Sequence, residues 1–393
     1  MPLRVLFLSD THLGLDLPGR PRVDRPRRGD DLFASFERAL EPAIRGEAGV
    51  VIHGGDLFYR SRVPAWLAER VFARLADLAD SGVDLFWVPG NHERGAIPRE
   101  LLLTHPRVKV FDRPRTFVVR RDGVTLALSG FPYAPCVRDI APALLAETDA
   151  DSVRADVRLL CLHQAIEGAT VGPSDYVFRS GVDVLRGADV PPAFAAVLSG
   201  HIHRAQVLTK DLAGRPLAAP VLFAGSTDRV SFAERFEPKG SFLLELSSDG
   251  SPGGRATWTF REHRVRPMAV VEIDPVPPGL SERIDAALAR LEPRSLVRLR
   301  LLAEPPAESL PLLRPEALRA RAPAGFDVSV AWPRAEGAST RAAPAPVPAA
   351  RSGRSRRAAP AGDAEAQLSF EPIRPSQPQG PAPRQATNRK RSA

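Results

Sequence analysis

Five short apolar segments of this chain each run directly into a cluster of polar side chains, and this recurring form restricts the fold more than any other feature. Residues 3–9 lead into Asp10-Thr11-His12, and residues 49–53 into Gly54-Gly55-Asp56. Residues 84–88 lead into Pro89-Gly90-Asn91-His92-Glu93, residues 157–162 into His163, and residues 194–199 into Gly200-His201-Ile202-His203. A brief unbroken apolar run bounded by turn residues reads as a strand buried on both faces. In an open α/β sheet, ligands bind just beyond the carboxyl ends of the strands. Clusters spread from residue 10 to residue 203 are therefore expected to meet on one rim. They bring carboxylate, imidazole and carboxamide groups there, the donor set for hard-to-borderline divalent cations.

Helical periodicity fills the gaps between these strands. Residues 31–45 place Leu32, Phe33, Phe36 and Leu40 on one face. Residues 64–80 start at a proline and stop before Gly82, the expected order for a helix. Asp122-Gly123 between the apolar runs 116–120 and 124–129 is a hairpin signal. The pattern predicts an α/β domain with mixed sheets over residues 1–255. Residues 256–332 read as a smaller α+β unit, with strands at 265–273, 296–302 and 326–330 and a helix at 281–291 capped by Ser281. Residues 333–393 are rich in Pro, Ala, Arg, Ser and Gly, too poor in large apolar groups to offset the entropy of ordering, and are expected to be disordered.

Composition excludes some classes. With 44% hydrophobic and 25% charged residues, the chain suits a globular protein. No apolar run reaches the length of about 18 residues that a spanning helix needs, so no membrane association is expected. The first apolar stretch is too short for a secretion signal. Two cysteines, Cys136 and Cys161, make no disulfide framework, and a cytoplasmic location is expected. The net charge of +8 is concentrated in the tail: residues 334–393 carry eleven Lys+Arg and four Asp+Glu, a net of +7. A basic surface over the whole fold cannot be inferred from it.

The set Asp10-x-His12, Gly55-Asp56, Gly90-Asn91-His92-Glu93, His163 and Gly200-His201-x-His203 resembles the motif series of the calcineurin-like metallophosphoesterases, with no position departing from the pattern. The resemblance implies a four-layer sandwich, two mixed β-sheets flanked by helices. It also implies two divalent ions: one held by Asp10, His12 and His203, the other by Asn91, His163 and His201, with Asp56 bridging both. His92 would be the catalytic histidine outside the ligand set. Oxygen and imidazole donors without thiolate suit Mn²⁺, with Fe²⁺ or Zn²⁺ as alternatives.

Further segments narrow the resemblance. Leu13-Gly14 follows the first motif, and then come an arginine-rich loop (Arg20, Arg22, Arg25, Arg27 and Arg28) and Asp31-x-Phe33-x-x-Phe36. Gly225-Ser226, Arg229, Glu234 and Lys239-Gly240 occur in that order after the last motif. Together these resemble the SbcD-type DNA-repair exonuclease subunits. That resemblance implies manganese-dependent cleavage of DNA phosphodiesters at ends and on single strands, and a homodimer. It further implies a coiled-coil ATPase partner of the SbcC type and a small capping domain at 256–332. The family's ATPase-binding helices normally follow the cap, whereas here a Pro-rich tail does.

The arginine loop is a candidate phosphate-contacting element, against the plainer reading of a solvated loop. Arg229 and Lys239 are read as pairing internally with Asp228, Glu234 or Glu237. Glu93 either orients a neighbouring group or is an ordinary paired acid. His53 and Cys161 are read as buried and structural, and His105 and His263 receive no role. Two other functions compete: a phosphoesterase acting on a small nucleotide or phosphomonoester, and a non-catalytic scaffold that recruits partners through its tail.

Overall fold

A computed structural model describes residues 2–16, 27–93, 105–251 and 253–333. Two six-stranded sheets dominate it. The first runs in the order Arg255–Glu262, Gly240–Ser247, Leu3–Leu8, Val50–His53, Asp84–Trp87, Val108–Val110. Its first three strands pair antiparallel and the rest are parallel. The second runs Gln206–Lys210, Pro216–Phe223, Ala196–Ser199, Val157–Leu162, Val124–Gly130, Arg115–Arg121. Its outer pairs are antiparallel and its centre is parallel.

The alternation of side chains along each strand sorts the core into layers. Leu3, Val5 and Phe7 face the second sheet and pack with Leu126, Leu159, Cys161 and Leu198. Leu6 and Leu8 face outward onto helices Arg28–Ile44 and Ala65–Asp80, meeting Phe36, Leu40, Leu67 and Val71. Leu160, Leu162, Val197 and Val221 cover the outer face of the second sheet with Val137 and Ala141 of helix Val137–Glu147. The result is helix, sheet, sheet, helix. The central strands are buried on both sides, which is why they read as unbroken apolar runs rather than alternating ones.

The hairpin at Asp122-Gly123 forms with both residues at positive φ, 53° and 77°, the geometry a two-residue turn with this twist requires. Helix Ala65–Asp80 starts after Pro64 and ends before Gly82 at φ 96°. Helix Val137–Glu147, which carries Pro142, was not expected from periodicity.

The strand Arg255–Glu262 pairs along its whole length with Gly240–Ser247. The first sheet therefore continues past the boundary expected at residue 255. A separate three-stranded parallel sheet is formed by Met268–Ile273, Leu296–Leu301 and Asp327–Ala331. It has its own core with Ile284, Leu288 and Leu318. Its helix Leu280–Leu288 follows Gly279 in the left-handed region, so Ser281 lies inside the first turn and is not the cap. The tail from residue 334 lies outside the described residues.

Candidate metal centre

The C-terminal ends of the parallel strands in both sheets open onto the same rim. The two sheets are tied there by a parallel bridge between Ser9 and Ser226 and by the Ser9 hydroxyl donating to the Gly225 carbonyl. Beyond Leu8 and His53 the two loops keep running side by side. Asp10 N–H donates to the Gly55 carbonyl, His12 N–H to Asp56 and Leu13 N–H to Leu57. This lateral pairing carries Asp10, His12 and Asp56 together to one spot. Asp10, His12, Asp56 and His201 all adopt positive φ, between 46° and 78°. Such backbone costs non-glycine residues about 1–2 kcal/mol each, so the surrounding fold must hold it.

Glycine is required where the loops come closest. A Cβ on Gly90 would stand 2.1 Å from Asp56 Oδ1, and one on Gly55, at φ 104°, would stand 2.2 Å from His163 Nδ1.

Asp10, His12, Asp56 and His163 are buried, at 2% exposure or less. Three groupings of donor atoms converge: Asp10, His12 and His203; His12, Asp56 and His92; Asp10, Asp56 and His163. Nε2 of His12 lies 2.9 Å from Nε2 of His203. Asn91 Oδ1 lies 3.1 Å from His163 Nε2 and 3.0 Å from His201 Nδ1. Asp56 Oδ2 stands 3.5 Å from His163 Nε2, 3.9 Å from His12 Nε2 and 3.8 Å from His92 Nε2. All seven expected ligands and His92 are thus brought to one place.

The outer nitrogens explain the orientation of three of the histidines. His163 Nδ1 donates to the Gly54 carbonyl at 2.7 Å, and His92 Nδ1 to the Tyr59 carbonyl. His203 Nδ1 donates to Glu234 Oε1 at 3.1 Å. A carbonyl or carboxylate can only accept, so each ring carries its proton on Nδ1 and turns Nε2 inward.

The arrangement fits divalent cations. Burial and the neighbouring His203 hold His12 well below the usual histidine range, and burial with His163 brings His201 down to about 3. Both rings are therefore neutral, with lone pairs available. Burial opposes charge on Asp56, but His163, His12 and His92 outweigh it and hold the carboxyl well below its ordinary value. Burial also opposes charge on His163, yet Asp56 and Asp10 carry it up to about 9. Nε2 of His12 and Nε2 of His203, 2.9 Å apart, share a proton when no ion is bound. Ligands about 2 Å from a shared ion are spaced this way.

The calcineurin-like phosphoesterase family model matches residues 3–205. The chain belongs to this family. It is 25% identical over 257 residues to the DNA double-strand break repair protein Mre11 of Saccharolobus solfataricus, covering 63% of this chain and 61% of that protein. It is 30% identical over 275 residues to the protein of the same name from Haloferax volcanii, covering 69% of this chain and 54% of that protein. The chain thus spans between half and two thirds of the length of these relatives. Its architecture is the calcineurin-like one expected: two mixed sheets flanked by helices.

Around this cluster lie groups that the motifs did not assign. The Glu93 carboxylate is fully buried and accepts the backbone N–H groups of Asp56 at 3.1 Å, Phe58 at 3.0 Å and Gly90 at 2.6 Å. It orients the Asp56 loop, the first of the two readings given above. Burial and the Asp56 charge push it up to about 8, against the amides that favour its ionised form. Tyr133 stacks at a tilt on His201 with ring centres 5.6 Å apart, and Tyr59 lies 5.9 Å from His92. Tyr133 ends a further strand-to-loop junction after Val124–Gly130, a signal that could have found it.

His53 is buried as expected. It accepts the Gly55 N–H on Nδ1, and so donates from Nε2 to the Thr11 hydroxyl. His105 pairs with Asp80, and His263 donates to the Thr227 carbonyl, both away from the centre. Lys239 pairs with Glu234 and Glu237, as expected; the Arg229 guanidinium instead donates to the carbonyls of Arg266 and Glu237, and its backbone N–H to Asp228. Arg20, Arg22 and Arg25 lie outside the described residues. Arg27 sits 3.6 Å from Asp16. Arg28 is largely buried and bound to Asp31, Asp228 and the Arg229 carbonyl, so its guanidinium ties the helix start to the loop after Gly225. Among the described residues no helix is long and apolar enough to cross a membrane.

Proposed function

We propose that this chain is a two-metal DNA nuclease of the SbcD type, hydrolysing DNA phosphodiesters in repair. The observation that carries the reading is the meeting of Asp10, His12, Asp56, Asn91, His163, His201 and His203 around one rim, with His92 beside them. The relatives named for DNA double-strand break repair support DNA as substrate, over a small nucleotide or phosphomonoester. The full donor set speaks against a non-catalytic scaffold.

Asp10, His12 and His203 would hold one ion, and Asn91, His163 and His201 the other, with Asp56 shared. Two divalent ions there, Mn²⁺ in our reading, would supply charge neutralisation for a phosphoryl group and an activated water. The protein's own part is orientation and proton handling. His92, with Nδ1 tied to the Tyr59 carbonyl, presents Nε2 toward the Asp56 side of the cleft. It is there to protonate the leaving oxygen or to steady the charge growing at phosphorus. Glu93 keeps Asp56 in place through the amide it accepts.

The chain would work with a coiled-coil ATPase and as a homodimer. The half-exposed Ile44 and Trp66, on helices Arg28–Ile44 and Ala65–Asp80, are the candidate self-association surface. The small three-stranded unit that begins at Met268 would act as the cap, and Arg20, Arg22, Arg25 and Arg27 as phosphate contacts. The test is a substrate panel: linear DNA against nitrophenyl phosphate esters, with Mn²⁺ and with chelator. Degradation of DNA that needs the metal is expected; activity on DNA without any divalent ion, or only on the small esters, would overturn the reading.

A further inference from the structure

The Lys239 side chain is fully buried, at 0% exposure, and it sits behind the centre rather than in it. Its ammonium donates to Glu234 Oε2 at 2.7 Å, to the Ser226 hydroxyl at 2.8 Å and to the carbonyl of His203 at 2.9 Å. Glu237 Oε2 lies 3.5 Å away. The other oxygen of Glu234 accepts from His203 Nδ1 at 3.1 Å. Ser226 Oγ and Val230 N–H also donate to Glu234 Oε2, each at 3.2 Å. His203 is therefore gripped at both ends, its main chain by Lys239 directly and its ring by Lys239 through Glu234.

A buried ion pair is a poor source of stability, because desolvation cancels most of the attraction; well-packed apolar replacements are often neutral or better. Packing alone gives little reason for a lysine and a glutamate here. Orientation gives a strong one. A histidine that binds a cation through Nε2 must carry its proton on Nδ1, and a carboxylate on Nδ1 fixes both the tautomer and the ring plane. The ammonium, together with the Ser226 and Ser231 hydroxyls and the Val230 N–H, in turn restricts the carboxylate.

We propose that Glu234 and Lys239 are positioning residues that lock His203 for the ion held with Asp10 and His12, and that they set the affinity of that one ion. The inference rests on the metal-centre reading above. It concerns the ion that His203 would bind, and not the one assigned to Asn91, His163 and His201.

The test is calorimetric titration of Mn²⁺ into chelator-stripped protein, alongside thermal melting. The wild type should bind two ions. The double variant Glu234→Leu with Lys239→Met removes both charges together and leaves Nδ1 without an acceptor. It should melt cooperatively but below the wild type, because Ser226 Oγ, the Val230 N–H and His203 Nδ1 lose their acceptor, so the ion affinities carry the comparison. One ion should bind about 10–100-fold more weakly while the other is unchanged. The double variant Glu234→Gln with Lys239→Met, whose amide oxygen can again accept from Nδ1, should recover most of that loss. A merely structural pair would lower both affinities together, and would show no such rescue.

Unchanged affinities in the apolar variant, or no recovery with glutamine, would overturn the clamp. If the apolar variant shows no cooperative melting, Glu234→Asp makes the same comparison by keeping the charge and shortening its reach: selective weakening of one ion supports the clamp, and equal affinities overturn it. A wild type that binds no Mn²⁺ would instead overturn the metal centre and the clamp with it.

Discussion

The backbone amide of His92 donates to Oδ1 of Asp56 at 3.0 Å, while the imidazole Nε2 of the same residue stands 3.8 Å from Oδ2. One carboxylate thus positions the main chain of the proposed proton donor and faces its reactive nitrogen. The short turn Asn91–Glu93 makes this economical: Asn91 reaches the centre as a proposed ligand, His92 stands beside it, and Glu93 turns back to brace the loop that carries Asp56.

His92→Ala should remove the proton donor without removing a ligand. Turnover on linear DNA with Mn²⁺ should fall by about 10²-fold or more, while calorimetry still counts two bound ions. Loss of an ion together with activity would make His92 a ligand instead.

Asp56→Asn should lose metal and activity together, because both ions would share that carboxylate. Metal analysis of the purified variant after dialysis checks it. Full occupancy in the variant would remove Asp56 from the bridging position.

Glu93→Ala would leave three buried amides without an acceptor. A stability loss of about 3 kcal/mol is expected in urea unfolding, with a smaller loss for Glu93→Gln, whose oxygen can still accept. Equal stability of all three proteins would show that the loop holds itself.

His53 gives a pH dependence with a definite sign. Burial, and next the neighbouring His163, lower it from 6.5 to about 3. The unfolded chain takes up this proton near 6.5 and the native chain only near 3. Its contribution to stability is full above pH 6.5 and is lost progressively as pH falls toward 3. Stability measured from pH 7 down to 4.5 should drop more steeply in the wild type than in His53→Gln. Parallel curves would exclude a buried neutral histidine.

Removing the tail tests whether its charge matters for DNA. Residues 334–393 carry +7 of the chain's net +8. A chain ending at Pro333 should keep its melting temperature and its turnover on a small phosphodiester. It should bind DNA more weakly, and the slope of log K against log salt should shrink by several units, since each lost phosphate contact is worth about 0.9 of a unit. An unchanged slope would leave the segment Leu368-Ser369-Phe370-Glu371-Pro372-Ile373 as the tail's remaining candidate, a docking peptide.

Much of this was legible in the order of residues. Strand ends could be recognised because strands buried on both faces leave unbroken apolar runs, and the polar residues that follow have no packing reason to be there. That was enough to place Asp10, Asp56, Asn91, His163, His201 and His203 at a common rim, and the hairpin at Asp122-Gly123 and the helix between Pro64 and Gly82 were equally plain. These are local signals, written within a few residues.

Other features depended on tertiary partners. Periodicity shows which face of Arg255–Glu262 is apolar, but only pairing with Gly240–Ser247 decides which sheet it joins. Arg28 reads from its neighbours as part of a basic loop, and Asp228, two hundred residues on, makes it an internal tie. Glu234 and Lys239 were expected to pair, yet that they grip His203 follows only from the fold. The sequence alone determined the ligand types and the strand ends that carry them, because burial on both faces and backbone turns are short-range constraints. The tertiary structure decided what each charge does, because a buried charge takes its role from whichever donor or acceptor the folded chain brings within about 3 Å of it.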